Sequence, residues 1–210
     1  MINVSNIGGV ILAGGKASRM GFRDKALLPL NDKPLIQHVI DLAKPQVNSL
    51  IISVNRNPEL YRGLKLPLIA DINHCHAGPL IGIYSAMRWF LQPENNNDCK
   101  YLACFAADVP SFPADCINSL AQGLDKGSAK LAYCQNGGEV QPLFSLWDLN
   151  LHQTIKLAID RGVFGPKLLF NAIESIEVDM SSVDPMNFMN INSPQDLERA
   201  KRLSTGNHLN

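Results

Sequence analysis

Residues 7–25 read IGGVILAGGKASRMGFRDK, an apolar run that passes directly into a glycine-bearing, cationic segment. The run 7–13 has the length and composition of a buried strand, and the glycines after it let the backbone turn sharply and approach a ligand closely. Successive N–H groups in such a turn form a concave anion site. Four cations stand within ten positions of the segment: Lys16, Arg19, Arg23 and Lys25. Backbone donors combined with cations predict a loop that binds a triphosphate.

Two well-known phosphate loops do not fit this segment. The Walker A pattern is absent because Gly21 is followed by Phe22 and Arg23, and the dinucleotide pattern GxGxxG is absent as well. A glycine-rich surface turn with solvated charges is the alternative interpretation. The position of the whole run at the end of the first strand favours the ligand-binding interpretation.

The rest of the chain alternates short apolar runs with amphipathic segments. Four further runs have the length of buried strands: 49–54, 101–107, 131–134 and 175–178. Two segments place apolar residues on one helical face: Leu35, Val39 and Ala43 in the first, and Leu80, Tyr84, Met87 and Leu91 in the second. This alternation predicts an α/β, Rossmann-like three-layer sandwich with a mainly parallel central sheet, which binds ligands at the carboxyl ends of its strands.

The C-terminal segment carries the clearest helix signals. Ser193 is suited to cap a helix, Pro194 to stand in its first turn, and Asp196 to supply the acid of a capping box. The apolar stripe that follows consists of Leu197, Ala200 and Leu203. We expect a single domain over residues 1–203 and a flexible tail over residues 204–210.

Length and composition exclude several classes of protein. The 210 residues suffice for one domain with a substantial core, and equal numbers of basic and acidic residues, 19 each, argue against nucleic-acid binding through a broad basic field. No apolar run approaches the about 20 residues of a membrane helix, and the run 7–13 does not resemble a signal peptide. Five cysteines without a CxxC pair indicate reduced thiols and a cytoplasmic location.

The loop segment resembles the LAGG-x-x-x-RMG-x-x-K motif of the MobA family of molybdenum cofactor guanylyltransferases. Further segments match that family in the same order along the chain: Asp71, Gly78-Pro79-Leu80-x-Gly82, Asp108-x-Pro110, Gln141-Pro142-Leu143 and Asn190-x-Asn192-x-Pro194. The resemblance extends from Ile7 to the region of Leu203. One departure is Phe22, where many members carry a second glycine, because a bulky residue does not easily adopt a positive φ.

The resemblance implies the fold of nucleotide-diphospho-sugar transferases and a defined reaction. GMP would pass from GTP to the terminal phosphate of molybdenum-loaded molybdopterin, with release of pyrophosphate and with Mg²⁺ as cofactor. No covalent enzyme intermediate is expected, so alignment and charge stabilisation would carry the catalysis. The implied partners are these two small-molecule substrates and, transiently, the molybdenum-insertion protein or recipient enzymes. Neither nucleic acid nor a membrane is expected.

The family pattern also implies a set of functional residues. The nucleotide-binding set is Leu12, Ala13, Gly14, Gly15, Lys25, Asn55, Asp71 and Asp108. The catalytic set is Lys25, Arg19 and Asp108, of which Lys25 contacts the phosphates and Asp108 holds the metal. Asp108 also fits a metal role by its position at the end of an apolar run, since Mg²⁺ takes one or two carboxylates. An acidic turn residue before proline is the alternative for Asp108, and a turn or capping residue is the alternative for Asp71.

Several other features leave alternatives open. Gly78-Pro79-Leu80 can present N–H donors to an anion or can simply begin a helix. Gln141-Pro142-Leu143-Phe144 can line the pterin side of the cleft, and Asn190 and Asn192 can orient groups near the metal, but each can equally be a turn-forming residue. His74-Cys75-His76 offers adjacent side chains, which make poor joint ligands, so no metal is assigned there.

Two other functions compete with guanylyl transfer. A molybdopterin cytidylyltransferase or a sugar-phosphate enzyme would share the chemistry, but Gly14-Gly15 after Leu12-Ala13 favours the guanylyl branch, since cytidylyl relatives commonly read LAAG. A non-catalytic GTP-binding module is the second alternative. The presence of both Lys25 and Asp108 speaks against it, because a degenerate member should have lost one of them.

Overall fold

The computed structural model describes residues 1–14, 24–72, 78–95, 98–181, 184 and 186–206. Its strands are β1 (Ile7–Leu12), β2 (Pro29–Leu30), β3 (Lys33–Pro34), β4 (Ser49–Ser53), β5 (Leu68–Ile69), β6 (Tyr101–Ala106), β7 (Leu131–Asn136), β8 (Glu139–Asp148) and β9 (Ser175–Asp179). Its α-helices are α1 (Leu35–Ala43), α2 (Pro79–Phe90), α3 (Cys116–Asp125), α4 (His152–Asp160) and α5 (Pro194–Gly206).

Seven of the strands form one central sheet in the order β5-β4-β1-β6-β8-β7-β9. Strands β5, β4, β1 and β6 pair in parallel, and β7 pairs in parallel with β9. Strand β8 runs antiparallel to both of its neighbours. The predicted mainly parallel sheet is therefore confirmed. The carboxyl ends of β1, β4, β5 and β6 meet along one edge, which we call the carboxyl edge.

Helices cover both faces of the sheet. Helices α1 and α3 pack on one face through residues such as Ile36 and Leu120, which share a core with Ile11 and Ile52. Helices α2 and α4 pack on the other face, where α2 shares a core with Val10. Neighbouring strand residues thus point to opposite faces and both faces are buried, which explains the continuous apolar runs in the sequence. The three-layer prediction is confirmed.

The predicted helix stripes agree with the structure except at one residue. Leu35, Val39 and Ala43 are buried on α1, and Leu80, Tyr84 and Met87 are buried on α2. The placement of Leu91 on the buried stripe was wrong. Helix α2 ends at Phe90, and Leu91 follows it with 37% of its surface exposed.

Strand β8 is the main element that the sequence did not reveal. Its pairing with β7 passes from Tyr133–Ser145 to Cys134–Gln141, so residues 142–144 form a bulge without partners on β7. Proline has no N–H to donate to a ladder, and Pro142 stands in this bulge. The bulge accommodates the proline inside a long strand, where the sequence alone suggested a turn or a cleft segment.

The C-terminal helix begins as predicted but ends later. The Asp196 N–H donates to Ser193 Oγ at 3.2 Å, and the Ser193 N–H donates to the Asp196 carboxylate at 2.8 Å, which completes the capping box. The helix continues through Gly206, so residues 204–206 of the expected tail are helical. Ser204 Oγ accepts a hydrogen bond from the Asn31 side chain at 3.0 Å, which ties this last turn to the β2–β3 hairpin.

Four cysteines, Cys99, Cys104, Cys116 and Cys134, are free and buried, while Cys75 lies outside the described residues. Burial raises the pKa of the Cys104 thiol, which keeps it protonated and unreactive. In the described part of the chain, no helix is both long and apolar enough to cross a membrane.

Candidate functional site

The carboxyl edge is held in register beyond the ends of its strands. The Ala13 N–H donates to Ser53 O at 2.8 Å, the Val54 N–H donates to Ile69 O at 2.9 Å, and the Ala107 N–H donates to Leu12 O at 3.3 Å. These bonds fix the backbone where each chain segment leaves the sheet. The candidate residues that follow, Gly14, Asn55, Asp71 and Asp108, therefore lie along a rigid edge.

Asn55 and Asp71 form a reciprocal pair at this edge. Asn55 Nδ2 donates to Asp71 Oδ2 at 2.7 Å, and the Asp71 N–H donates to Asn55 Oδ1 at 2.8 Å. Ser53 Oγ also donates to Asp71 Oδ1, at 3.3 Å. Asp71 is only 9% exposed, whereas Asn55 is exposed. The carboxylate therefore fixes the Asn55 amide, and Asn55 is the member of the pair that faces solvent.

Two glycines leave room around this pair. A Cβ atom on Gly14 would lie 3.1 Å from Asn55 Nδ2. A Cβ atom on Gly82 would lie 2.8 Å from Leu12 Cδ2 and 3.5 Å from Asp71 Oδ1. The glycine at position 82 therefore lets α2 lie close against the ends of β1 and β5.

Lys25 and Asp108 meet in a second cluster, which we call the Lys25 node. Lys25 Nζ donates to Asp108 Oδ2, to Asn190 Oδ1 at 3.0 Å and to Asn192 Oδ1. An ammonium has three protons to donate, so the three oxygens satisfy it fully. The side chain of Lys25 is 14% exposed and that of Asp108 is 26% exposed. The Ile191 N–H donates to Asp108 O at 2.9 Å, which fixes the asparagine segment beside the carboxylate.

The backbone around Lys25 is anchored from the core. Tyr61, which is fully buried in the turn Pro58–Leu64, donates its hydroxyl to Asp24 Oδ1 at 2.6 Å. Burial, and secondarily the Asp24 carboxylate, raise the pKa of Tyr61 well above its usual value, so the phenol remains a donor. Tyr61 could not be identified from the sequence, where its only signal is a single aromatic residue in a short segment of mixed polarity.

The segment Gly78-Pro79-Leu80 begins helix α2. The Leu80 N–H donates to Phe164 O at 3.1 Å, and the Ile81 N–H donates to Gly78 O at 3.2 Å. These two donors are already paired within the protein, which favours helix initiation, and an anion contact of the Gly78 N–H stays a prediction. A Cβ atom on Gly78 would lie 2.6 Å from Phe164 O, which explains the glycine.

The expectation that Phe144 lines a pterin site was wrong. Phe144 is 1% exposed and packs with an aromatic group in the core. Its ring centroid lies 5.0 Å from those of Phe112 and Phe188. Gln141 stands at the amino-terminal end of β8, on the same edge as the end of β6. A role for Gln141 toward the acceptor stays a prediction.

Several predicted site residues lie outside the described residues: Gly15, Lys16, Arg19, Phe22, Arg23, and His74, Cys75 and His76. Among the residues that the structure describes, no group of three or more His, Cys, Asp or Glu side chains is placed to share a metal ion. A magnesium site needs fewer carboxylates, because phosphate oxygens and water fill its octahedron. The oxygens of Asp108, Asn190 and Asn192 converge on one point and are the ligand type that Mg²⁺ prefers.

A mainly parallel sheet with polar side chains gathered along its carboxyl edge is the arrangement of an α/β ligand-binding protein, and a family-model match defines the class as that of the NTP transferases. The model of the MobA-like NTP transferase domain matches residues 9–171. The chain belongs to this family.

Individual relatives agree with that assignment. The chain is 37% identical over 193 residues to the molybdenum cofactor guanylyltransferase of Yersinia pestis (strain Pestoides F), with coverage of 92% of this chain and 94% of the relative.

Two solved structures share the fold. One is molybdopterin-guanine dinucleotide biosynthesis protein A from Archaeoglobus fulgidus, with a TM-score of 0.75, 20% identity, and coverage of 95% of this chain and 99% of that one. The other is 4-diphosphocytidyl-2C-methyl-D-erythritol synthase from Anaerococcus prevotii, with a TM-score of 0.74, 11% identity, and coverage of 95% and 96%. At these identities the likeness concerns the fold alone.

Proposed function

We propose that this enzyme transfers GMP from GTP to the terminal phosphate of molybdenum-loaded molybdopterin and releases pyrophosphate. The observation that carries the proposal is the Lys25 node, in which an ammonium, a carboxylate and two amide oxygens meet at the carboxyl edge. The 37% identical relative that is named a molybdenum cofactor guanylyltransferase supports the choice of base and acceptor.

In this proposal the two clusters on the carboxyl edge divide the work. Gly14 and Asn55 contact the guanine nucleoside, and Asp71 acts by fixing the Asn55 amide rather than by reaching the base directly. Leu12 and Ala13 form the floor beneath the nucleotide. The Lys25 ammonium moves from its oxygen partners to the phosphates of GTP when the nucleotide binds.

The chemical step forms one bond and breaks one. An oxygen of the acceptor's terminal phosphate attacks the α-phosphorus of GTP, the bond from that phosphorus to the bridging oxygen breaks, and pyrophosphate leaves. Lys25 balances the negative charge that accumulates on the phosphate oxygens. Asp108, with Asn190 and Asn192, would hold Mg²⁺, which supplies charge neutralisation at the phosphates when bound. Arg19 and Gly15 remain predicted members of this site.

A nucleotide panel tests the proposal. The enzyme is incubated with Mg²⁺, molybdenum-loaded molybdopterin and each of GTP, CTP, ATP and UTP, and pyrophosphate release is followed together with the dinucleotide product. Of the four nucleotides, only GTP should be consumed, and its consumption should require the acceptor. Turnover with CTP would instead support a cytidylyltransferase. Turnover with a sugar phosphate as acceptor would support a sugar-nucleotide enzyme, and GTP binding without consumption would support a binding module.

Cellular context completes the proposal. A cytoplasmic enzyme would meet GTP and its pterin acceptor in solution, and the product would pass to recipient enzymes through transient contacts. Contact with the molybdenum-insertion protein belongs to the same hypothesis. Co-purification with either partner would test it.

A further inference from the structure

Tyr61 is built into the fold in an unusual way. It is the one buried residue of the short 3-10 helix Pro58–Leu64, and its ring joins the main core, against which Leu64 also packs while the other residues of this helix are exposed. A fully buried phenol needs a partner for its hydroxyl. That partner is the Asp24 carboxylate at 2.6 Å, 37 residues away in sequence. The Tyr61 hydroxyl thus links the core to Asp24, the residue immediately before Lys25.

Asp24 is the acidic residue within the cationic loop segment. In sequence it lies between Arg23 and Lys25. Its carbonyl oxygen accepts the Leu27 N–H at 3.0 Å, and Ala26 is buried, so the backbone here is fixed. A carboxylate that is free to turn can pair with the neighbouring cations and so compete with a phosphate for them. A carboxylate held by a hydroxyl from the core cannot turn freely.

We propose that Tyr61 is a positioning residue for nucleotide binding, which restrains the Asp24 carboxylate on the core side and so keeps it from competing with the triphosphate for the cations adjacent to it in sequence, Arg23 and Lys25. The proposal rests on the proposed function, because it takes GTP as the ligand. It assigns Tyr61 no contact with substrate. It makes affinity for GTP depend on a hydroxyl group that lies in the core.

Three variants test this assignment. Tyr61→Phe keeps the ring but releases Asp24, and the dissociation constant and KM for GTP should rise about tenfold, the usual scale for one hydrogen bond to a charged group. The kcat at saturating GTP should change less than about twofold, because Lys25 keeps its own partners. Asp24→Asn keeps an acceptor for Tyr61 and should bind GTP as the wild type does. The double variant, Tyr61→Phe with Asp24→Asn, should regain most of the GTP affinity lost in Tyr61→Phe. A neutral amide at position 24 cannot compete with the phosphates of GTP for the neighbouring cations.

The double variant separates positioning from a merely structural role. If Tyr61 served only the stability of the fold, removing the charge of Asp24 would restore nothing. Tyr101→Phe, which removes the hydroxyl of a half-buried tyrosine at the amino-terminal end of β6, is the matched control. Thermal unfolding of each variant verifies folding.

Two results would overturn the inference: a Tyr61→Phe enzyme that binds GTP within twofold of wild type, or a double variant as weak as Tyr61→Phe alone. Because equilibrium titration with Mg²⁺ and GTP needs no acceptor, it reports on Tyr61 separately from transfer. A wild-type enzyme that binds GTP but forms no dinucleotide would refute the proposed function. The role of Tyr61 would still be tested by the dissociation constants for GTP.

Discussion

Replacing Lys25 with alanine removes the cation at the centre of the Lys25 node. The ammonium donates to three oxygens, and its side chain is only 14% exposed, so it is held in place before any substrate arrives. Removing one preorganised charge donor from an active site costs about 3 kcal/mol of transition-state stabilisation. At 25 °C this corresponds to a decrease of roughly 10²-fold in kcat/KM.

The effect on stability should be much smaller than the effect on rate. Asp108 loses its ion-pair partner, but its side chain is 26% exposed and water can solvate the carboxylate. We expect a loss of about 1 kcal/mol in the free energy of unfolding, at the upper end for ion pairs in contact with solvent. The structure thus predicts an enzyme that is folded but slow.

Initial rates of dinucleotide formation over a range of GTP concentrations give kcat and KM, and thermal unfolding gives the change in Tm. Lys25→Met, which keeps most of the aliphatic stem, separates the loss of charge from the loss of packing. Lys156→Ala is the matched control, because it removes a lysine from an exposed ion pair with Asp160 on α4. A Lys25→Ala enzyme with kcat/KM within about threefold of wild type would refute the role given to the ammonium.

Three further predictions concern other parts of the site and its frame. Asp108→Ala should abolish magnesium-dependent turnover with little change in Tm, because the backbone oxygen that accepts the Ile191 N–H remains; magnesium titration of the rate checks this, and unchanged rates would remove Asp108 from the mechanism. Gly78→Ala should lower the free energy of unfolding by about 1–3 kcal/mol through the clash with Phe164, measured by urea denaturation, whereas Gly63→Ala, with open space around it, should have little effect. Asp196→Ala should cost about 1 kcal/mol at pH 7 by breaking the capping box. The hydrogen bond from Ser193 lowers the pKa of Asp196, so this difference should be complete above the unfolded-state pKa and should disappear as the pH falls through the lowered pKa; a difference that persists in acid would contradict the explanation.

The sequence predicts the parts of this protein that follow from local periodicity. Buried parallel strands are apolar on both faces, and the capping box of α5 is spelled out within four residues, so both could be found without the structure. The bulge in β8 interrupts alternation at Pro142, and that strand was missed for this reason. The end of α2 depends on where the chain leaves the sheet, which is why Leu91 was misplaced.

The candidate site could be proposed from the sequence as a set of residues, but the contacts among those residues could not. The motif containing Asn190 and Asn192 was identified, yet its contact with Lys25 joins positions more than 160 residues apart and cannot be obtained from periodicity. Tyr61 gave no usable signal, because a single tyrosine in a short segment can anchor that segment to the core without contacting a distant loop. Asp71 stays a predicted nucleotide-binding residue, and its hydrogen bonds with Asn55 are a feature that the sequence did not indicate.

The Lys25 node also explains how a charged site can be rigid before its substrate binds. Without a partner, a lysine that is 14% exposed and a carboxylate that is 26% exposed would each pay a desolvation penalty. Pairing them neutralises the site, and the two amide oxygens complete the geometry without adding charge. When a triphosphate replaces these oxygens around Lys25, charge-assisted hydrogen bonds are exchanged for others of similar strength. In the proposed function this exchange is close to balanced, so Lys25 would be positioned in advance and could still leave its oxygen partners. The Asp108 carboxylate, once released from Lys25, would then be free to bind a cation together with the phosphate oxygens.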